Sequence, residues 1–260
     1  MSGDGHEGGT RSGGPVDAAR SKVGDEGAAM ETTERYVEIA RAESERGELV
    51  LRERRDPCSG SVLELRANGV FVMDTLETST ERALASAALE LVDDPRAVVV
   101  CGLGLGYTMH EVLADHRVER CAVVEIEEAL VEWMRTGVVP HGPALLADGR
   151  VHLVVADVAV AFAEARPSSY DLVLLDVDNG PGYLVHDVNA RLYDAPFLSA
   201  VRAALRPGGV LIVWSADRAP ELEETLRGVF GNADARALDV LLQDRDEQYW
   251  LHVARVPSPA

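Results

Sequence analysis

The sequence predicts a doubly wound α/β fold: a seven-stranded, mostly parallel sheet with a terminal antiparallel hairpin, preceded by a small N-terminal β region. Three observations carry this. Short, near-continuous Val/Leu runs alternate with helical segments, the pattern of strands covered on both faces. The first of these runs ends in the glycine-rich turn "CGLGLGYT", a strand-to-helix junction. The last two strand-like pieces, "RALDVLLQ" and "YWLHVARV", are joined by the polar link "DRDE", which is too short for a parallel crossover.

Composition bounds the rest. With 47% hydrophobic residues among 260, the chain can bury one sizeable core. Its 25 basic and 44 acidic side chains give a formal charge of −19, with no basic stripe of the kind that binds nucleic acid. Cys58, Cys101 and Cys121 form no CxxC pair, so neither a metal site nor a disulfide framework is expected. No apolar run reaches the ~20 residues of a membrane span, and the N-terminus lacks the apolar middle of a signal peptide. A cytoplasmic protein with a small-molecule substrate is expected.

In chain order, residues 1–32 are rich in Gly, Ser and charge and read as a disordered tail. The β region, 33–77, holds "ELVLRER", "SVLELRA" and "VFVMDT", with Asn68-Gly69 as a hairpin turn between the last two. Residues 78–260 form the main domain. A helix opens it at "TSTERALASAALELV", where Thr78 and Glu81 have capping-box spacing. Strands follow at 97–101, 121–125, 151–156, 171–176 and 209–214, with helices around 107–115, 127–136, 158–165 and 193–205.

Ligands of open α/β sheets bind outside the carboxyl ends of the strands, and four strand ends here carry binding chemistry. Gly102, Gly104 and Gly106, with Leu105 among them, let the backbone approach a ligand closely. Glu125, followed by Ile126, stands about twenty residues further on, where a carboxylate accepts from ribose hydroxyls. Asp157 and Val158 end the third strand, placed to read a base edge. Asp176 and Asp178 end the fourth in "LLDVDNGP". No Lys or Arg stands in the turn to meet a pyrophosphate, so an acid-lined pocket favours a cationic, phosphate-free cofactor such as S-adenosylmethionine. Residues 182–193 are expected as a loop over the site, with Tyr183, His186 and Tyr193 as acceptor contacts, joined by Glu77 from the turn after the hairpin.

The succession "VVVCGLGLG", "VVEIEE", "VVADVA", "YDLVLLD" and "LRPGGVLIV" resembles the class I S-adenosylmethionine-dependent methyltransferase fold from about residue 95 to 255. Within it the chain looks most like the spermidine synthase family: "GYTMHEVL" echoes G-G-T-x-R-E-V-L, "VEIEE" echoes V-E-I-D, and "LYDAPFL" echoes L-Y-T-x-E-F-Y. That resemblance implies a homodimer, a cofactor pocket at these strand ends, and an amine nucleophile deprotonated by an Asp of D-S-S-D-P, which maps to Asp176 in "DVDNG". Three elements depart from the family. Leu105 stands where aminopropyl-transferring enzymes carry the Asp that holds the amine of decarboxylated S-adenosylmethionine. The second acid of D-S-S-D-P is shifted to Asp178, and of D-E-x-x-Y-H-E only Glu81 is kept, with Leu84 and Ala85 at the tyrosine and histidine. The first expectation is therefore methyl transfer from S-adenosylmethionine to a small-molecule or amino-acid-like acceptor, with Asp176 and then Asp178 as the acceptor's base. The alternatives are aminopropyl or 3-amino-3-carboxypropyl transfer, with Asp74 or Asp178 supplying the missing carboxylate, and a non-catalytic nucleoside-binding scaffold.

Overall fold

The computed structural model describes residues 36–56, 58–182, 184, 186–242 and 245–258, which pack as one compact unit. The expected tail, 1–32, lies outside the described residues. The N-terminal β region is an antiparallel meander of four strands: β1 (Val37–Ser44), β2 (Gly47–Asp56), β3 (Gly60–Ala67) and β4 (Val70–Asp74). Asn68 and Gly69 turn between β3 and β4 with φ of 51° and 76°, the two left-handed positions a tight hairpin needs. The Asn68 side chain also accepts from the Glu48 N–H at 2.9 Å and donates to the Arg46 carbonyl at 3.1 Å, tying this turn to the one between β1 and β2. β1 was not expected from sequence. Ala40 and Ala42 are what it packs toward the core, and alanine carries little strand signal.

Next comes α1 (Ser79–Glu90), and then strands and helices alternate: β5 (Ala97–Cys101), α2 (Tyr107–Ala114), β6 (Arg120–Glu125), α3 (Glu128–Thr136), α4 (Gly142–Leu146), β7 (Val151–Val155), α5 (Val158–Ala163) and β8 (Tyr170–Leu175). A 3-10 helix (Asp187–Tyr193), α6 (Ala195–Ala204), β9 (Leu205–Ser215), α7 (Pro220–Phe230), β10 (Asp234–Leu242) and β11 (Arg245–Arg255) complete the chain. The 3-10 helix occupies most of the stretch expected as a loop, and α4 was not expected. The capping box at α1 does not form. Thr78 makes no side-chain cap and its Oγ1 instead accepts from Arg82 at 3.3 Å, while Glu81 bonds the Thr80 hydroxyl at 2.9 Å.

The seven-stranded sheet runs in the order β10-β11-β9-β8-β5-β6-β7, antiparallel only where β11 meets β9 and β10. The strand order reverses between β5 and β8, which makes the crevice beyond their carboxyl ends the binding position of such a sheet. Continuous apolar strands have a simple cause: each strand serves two cores. Val98 and Val100 of β5 face the core formed with α1, α2, α3 and the N-terminal sheet. Val99 and Cys101 face the one formed with α5, α6 and α7. At the opposite edge Asp171 ties three strands, accepting from the Ala97 N–H at 2.8 Å and from Arg206 at 2.7 Å. No helix among the described residues is long and apolar enough to cross a membrane.

His252 of β11 is fully buried, and neither ring nitrogen has a hydrogen-bond partner among the described residues. Burial lowers its pKa from the ordinary 6.5 and the Arg218 charge adds to this, against the opposing pull of the Glu223 charge. The fold therefore holds it neutral. Its contribution is complete above about pH 6.5 and is lost as pH falls through that value toward the depressed folded-state pKa. Denaturant unfolding at pH 7.5 and pH 5 is expected to show His252→Leu gaining on the wild type at the lower pH. An unchanged difference between the two proteins would show that His252 is not titrating against the fold.

Candidate functional site

A cavity of about 870 Å³ opens at the switch point, bounded by the carboxyl ends of β5, β6, β7 and β8 on one side and by the N-terminal sheet on the other. Its floor is the glycine turn. Gly102 has φ of 95°, and a Cβ there would sit 2.0 Å from the Asp176 carbonyl oxygen, so only glycine lets β5 pass this close to β8. At Gly104 a Cβ would sit 2.8 Å from the Met73 sulfur, which comes from β4 and accepts the Leu105 N–H at 3.1 Å.

Glu125 ends β6 buried beside this turn. Its Oε2 accepts the Leu103 N–H at 2.8 Å and its Oε1 the Glu127 N–H at 2.7 Å, while burial raises its pKa. The carboxylate thus shapes the turn as well as lining the cavity. Ile126 follows it, 37% exposed and facing the cavity. Arg46, from the turn between β1 and β2, reaches across to Glu127 at 2.5 Å and to the Ile126 carbonyl at 3.0 Å, and so closes the N-terminal sheet over this end.

Asp157 is the N-cap of α5. Its Oδ1 accepts the Ala159 N–H at 2.8 Å, and its Oδ2 is paired with Arg191 of the 3-10 helix. Asp157 and Val158 both line the cavity. Asp176 accepts from the Thr108 hydroxyl at 2.8 Å, and burial pushes its pKa up to about 6. Beside it stands Glu81, pushed up to about 7 by burial and, second, by the charge of Asp176.

Several expected residues stand elsewhere or do other work. Leu105 is fully buried in the core and does not line the cavity. Gly106 is the N-cap of α2 and packs toward Met134 and Leu145. Asp178 lines the cavity at φ of 64°, but its Oδ2 accepts from Asn189 at 2.9 Å and from the His186 N–H at 3.4 Å, which anchors the 3-10 segment. Tyr193, expected against the acceptor, is buried beneath that segment and donates to the Val177 carbonyl at 2.7 Å. Asp74 is buried, accepts the N–H groups of Leu76 and Glu77 and does not line the cavity, so of the two acids expected for the aminopropyl alternative only Asp178 reaches it. His186 and Glu77 do line it, and Tyr183 lies outside the described residues.

Sequence reasoning noted Glu81 only as the remnant of D-E-x-x-Y-H-E and did not count it as a site residue, because its spacing from Thr78 suits a capping box. It also missed Met73, Arg46, Trp214 and Tyr249, which line the cavity from the N-terminal sheet and the terminal strands. Nothing in their local sequence marks them, since they reach the site only through tertiary packing. Gly102→Ala tests the floor. A left-handed backbone alone costs an alanine about 1 kcal/mol, the expected effect at Gly60, where φ is 82° and the space is open. Gly102→Ala is expected to cost clearly more in denaturant unfolding, because the Asp176 carbonyl must also move. Equal costs would mean the close approach is not tight.

The family model described as "Spermine/spermidine synthase domain" matches residues 77–228. "Polyamine aminopropyltransferase 2" of Pseudomonas aeruginosa is 34% identical over 165 residues, which is 59% of this chain and 45% of that one. "Putrescine N-methyltransferase 3" of Nicotiana tabacum is 34% identical over 122 residues, 46% of this chain and 30% of that one. The chain thus spans less than half the length of these two relatives. Among solved structures, spermidine synthase from Thermotoga maritima matches with a TM-score of 0.69 at 19% identity, covering 84% of this chain and 72% of that one, a likeness of fold. Strand order, the glycine turn with its acidic strand ends, and a family match spanning more than half the sequence agree: the chain belongs to the spermine/spermidine synthase family.

Proposed function

We propose that this chain transfers an alkyl group from an adenosyl sulfonium to the amine of a small di- or polyamine, and that the group is the methyl of S-adenosylmethionine. The chain's place in its family supports the transferase, and the names of its relatives support the amine. The observation that carries the choice of methyl is Leu105. Its side chain is in the core, and the glycine turn offers no carboxylate to hold the ammonium of a decarboxylated cofactor's arm. Aminopropyl transfer is the second reading, favoured by the name of the Pseudomonas relative.

The cavity fits the cofactor on its own chemistry. A turn into which no Cβ fits lets the backbone approach the ligand, aliphatic side chains of Ile126, Val158 and Leu192 suit a base, and acids suit a cation. When bound, the sulfonium supplies an electrophilic carbon for in-line displacement. The protein's part is positioning and proton removal. Glu77, Glu81 and Asp176 draw a cationic amine to the carbon, while Trp214 and Tyr249 wall it from the terminal strands. Asp176, oriented by Thr108, accepts the proton that the ammonium must lose before its lone pair can attack.

With the Asp176 and Glu81 carboxyls raised to about 6 and about 7, both must be ionised for this work, so activity is expected to climb as pH rises through 6–7. Asp176→Asn should lower kcat by at least ~100-fold and leave nucleoside affinity within threefold of wild type. A flat profile from pH 5.5 to 8 would remove Asp176 from the role. The leaving fragment is read by calorimetry with S-adenosylmethionine, its decarboxylated form, S-adenosylhomocysteine and methylthioadenosine. Tight binding of S-adenosylhomocysteine, with the decarboxylated form at least tenfold weaker, is expected. The reverse order would establish aminopropyl transfer, and no binding of any of the four would leave a scaffold.

A further inference from the structure

The nucleoside end of the cavity has three aliphatic faces and one charged edge. Ile126, Val158 and Leu192 line it, and Ile126 is 37% exposed where a flat ring would cover it. The charged edge is Asp157 with Arg191. Asp157 lines the cavity, and Arg191 of the 3-10 helix, itself outside the lining residues, sets its guanidinium on Oδ2, while Oδ1 is already held by the Ala159 N–H. The pair is 47% and 25% exposed, so as a surface ion pair it adds little to stability. Its position is what matters, because it sets an acceptor and a donor side by side at the edge of an apolar slot.

We propose that Arg191 is a base-specificity residue, which with Asp157 reads the edge of a 6-aminopurine. This rests on the nucleoside reading of the cavity given above. A 6-amino group donates and the ring nitrogens beside it accept, an alternation that matches a carboxylate next to a guanidinium. A 6-oxopurine sets a carbonyl oxygen against the carboxylate and is turned away. The carboxylate alone distinguishes amino from oxo. Arg191 adds a donor for a ring nitrogen, and so selects which aminated heterocycle fits.

The test is calorimetric and needs no turnover. The full chain and its Arg191→Gln variant are titrated with 5′-methylthioadenosine, its 1-deaza and 7-deaza analogues, and 5′-methylthioinosine. The wild type is expected to bind methylthioadenosine, to bind the inosine at least tenfold more weakly, and to lose about tenfold when one of the two ring nitrogens is replaced by carbon. Arg191→Gln, with an unliganded melting temperature equal to wild type, is expected to bind the parent about tenfold more weakly and to lose that nitrogen dependence. A purely structural arginine would weaken all four ligands alike and leave the deaza penalty in place, which would overturn the proposal. So would deaza analogues that bind the wild type as well as the parent, or a variant that binds more tightly, since Arg191 would then be a competitor for Asp157. Failure of methylthioadenosine to bind the wild type would refute the nucleoside reading itself, and the proposal with it.

Discussion

The carboxylate of Glu125 accepts the peptide N–H of Leu103, and the shape of the site follows from that bond. An acid at the end of β6 is carried under the glycine turn and holds a backbone group that would otherwise be buried without a partner. Burial makes that ionised group costly, and the N–H groups of Leu103 and Glu127 offset the cost. With the turn held down, Gly102 lies against the Asp176 carbonyl and the Asp176 N–H bonds the Cys101 carbonyl at 2.9 Å, so β5 and β8 end level. Thr108, in the first turn of α2, then stands within 2.8 Å of the Asp176 carboxylate. A strand-end acid, a turn and a helix start become one unit.

The two ends of the cavity handle negative charge differently. At the end formed by β6 and β7 each acid has strong donors: Glu125 two peptide N–H groups, Glu127 Arg46, and Asp157 Arg191 together with a helix N–H. At the other end Asp176 has the Thr108 hydroxyl and Glu81 the Thr80 hydroxyl, and no cation opposes their burial among the causes that set their pKa values. The acids of one end are thus already met by strong donors, while those of the other are held by hydroxyls alone among these bonds. The second arrangement suits the proton removal proposed for Asp176, because a carboxylate already neutralised by arginine is a poor base.

Much of this was legible in the residues. Unalternating Val/Leu runs revealed the doubly covered strands, Asn68-Gly69 the hairpin turn, and the short polar link the antiparallel end of the sheet. Glu125, Asp157 and Asp176 were found because a parallel sheet sends every strand's carboxyl end to one edge, whatever the loops do. Other residues at the same edge were misread for lack of orientation. Leu105 lies in the turn with its side chain turned away from the cavity, and Tyr193 lies in the covering segment but points beneath it.

Periodicity and spacing are local properties, and what they settle is equally local: which segments are strands, which turn is glycine-dependent, and which acids stand at strand ends. The placing of Met73 under the turn, of Arg46 over Glu127, of Arg191 on Asp157 and of Glu81 beside Asp176 joins segments 32, 81, 34 and 95 residues apart. Such contacts depend on how two sheets and a 3-10 helix pack, and a linear pattern carries no signal for a partner it cannot reach. Glu81 shows the difference most directly. Its spacing from Thr78 is that of a cap, and the close packing of α1 against β8 turns it instead into a buried acid of the site.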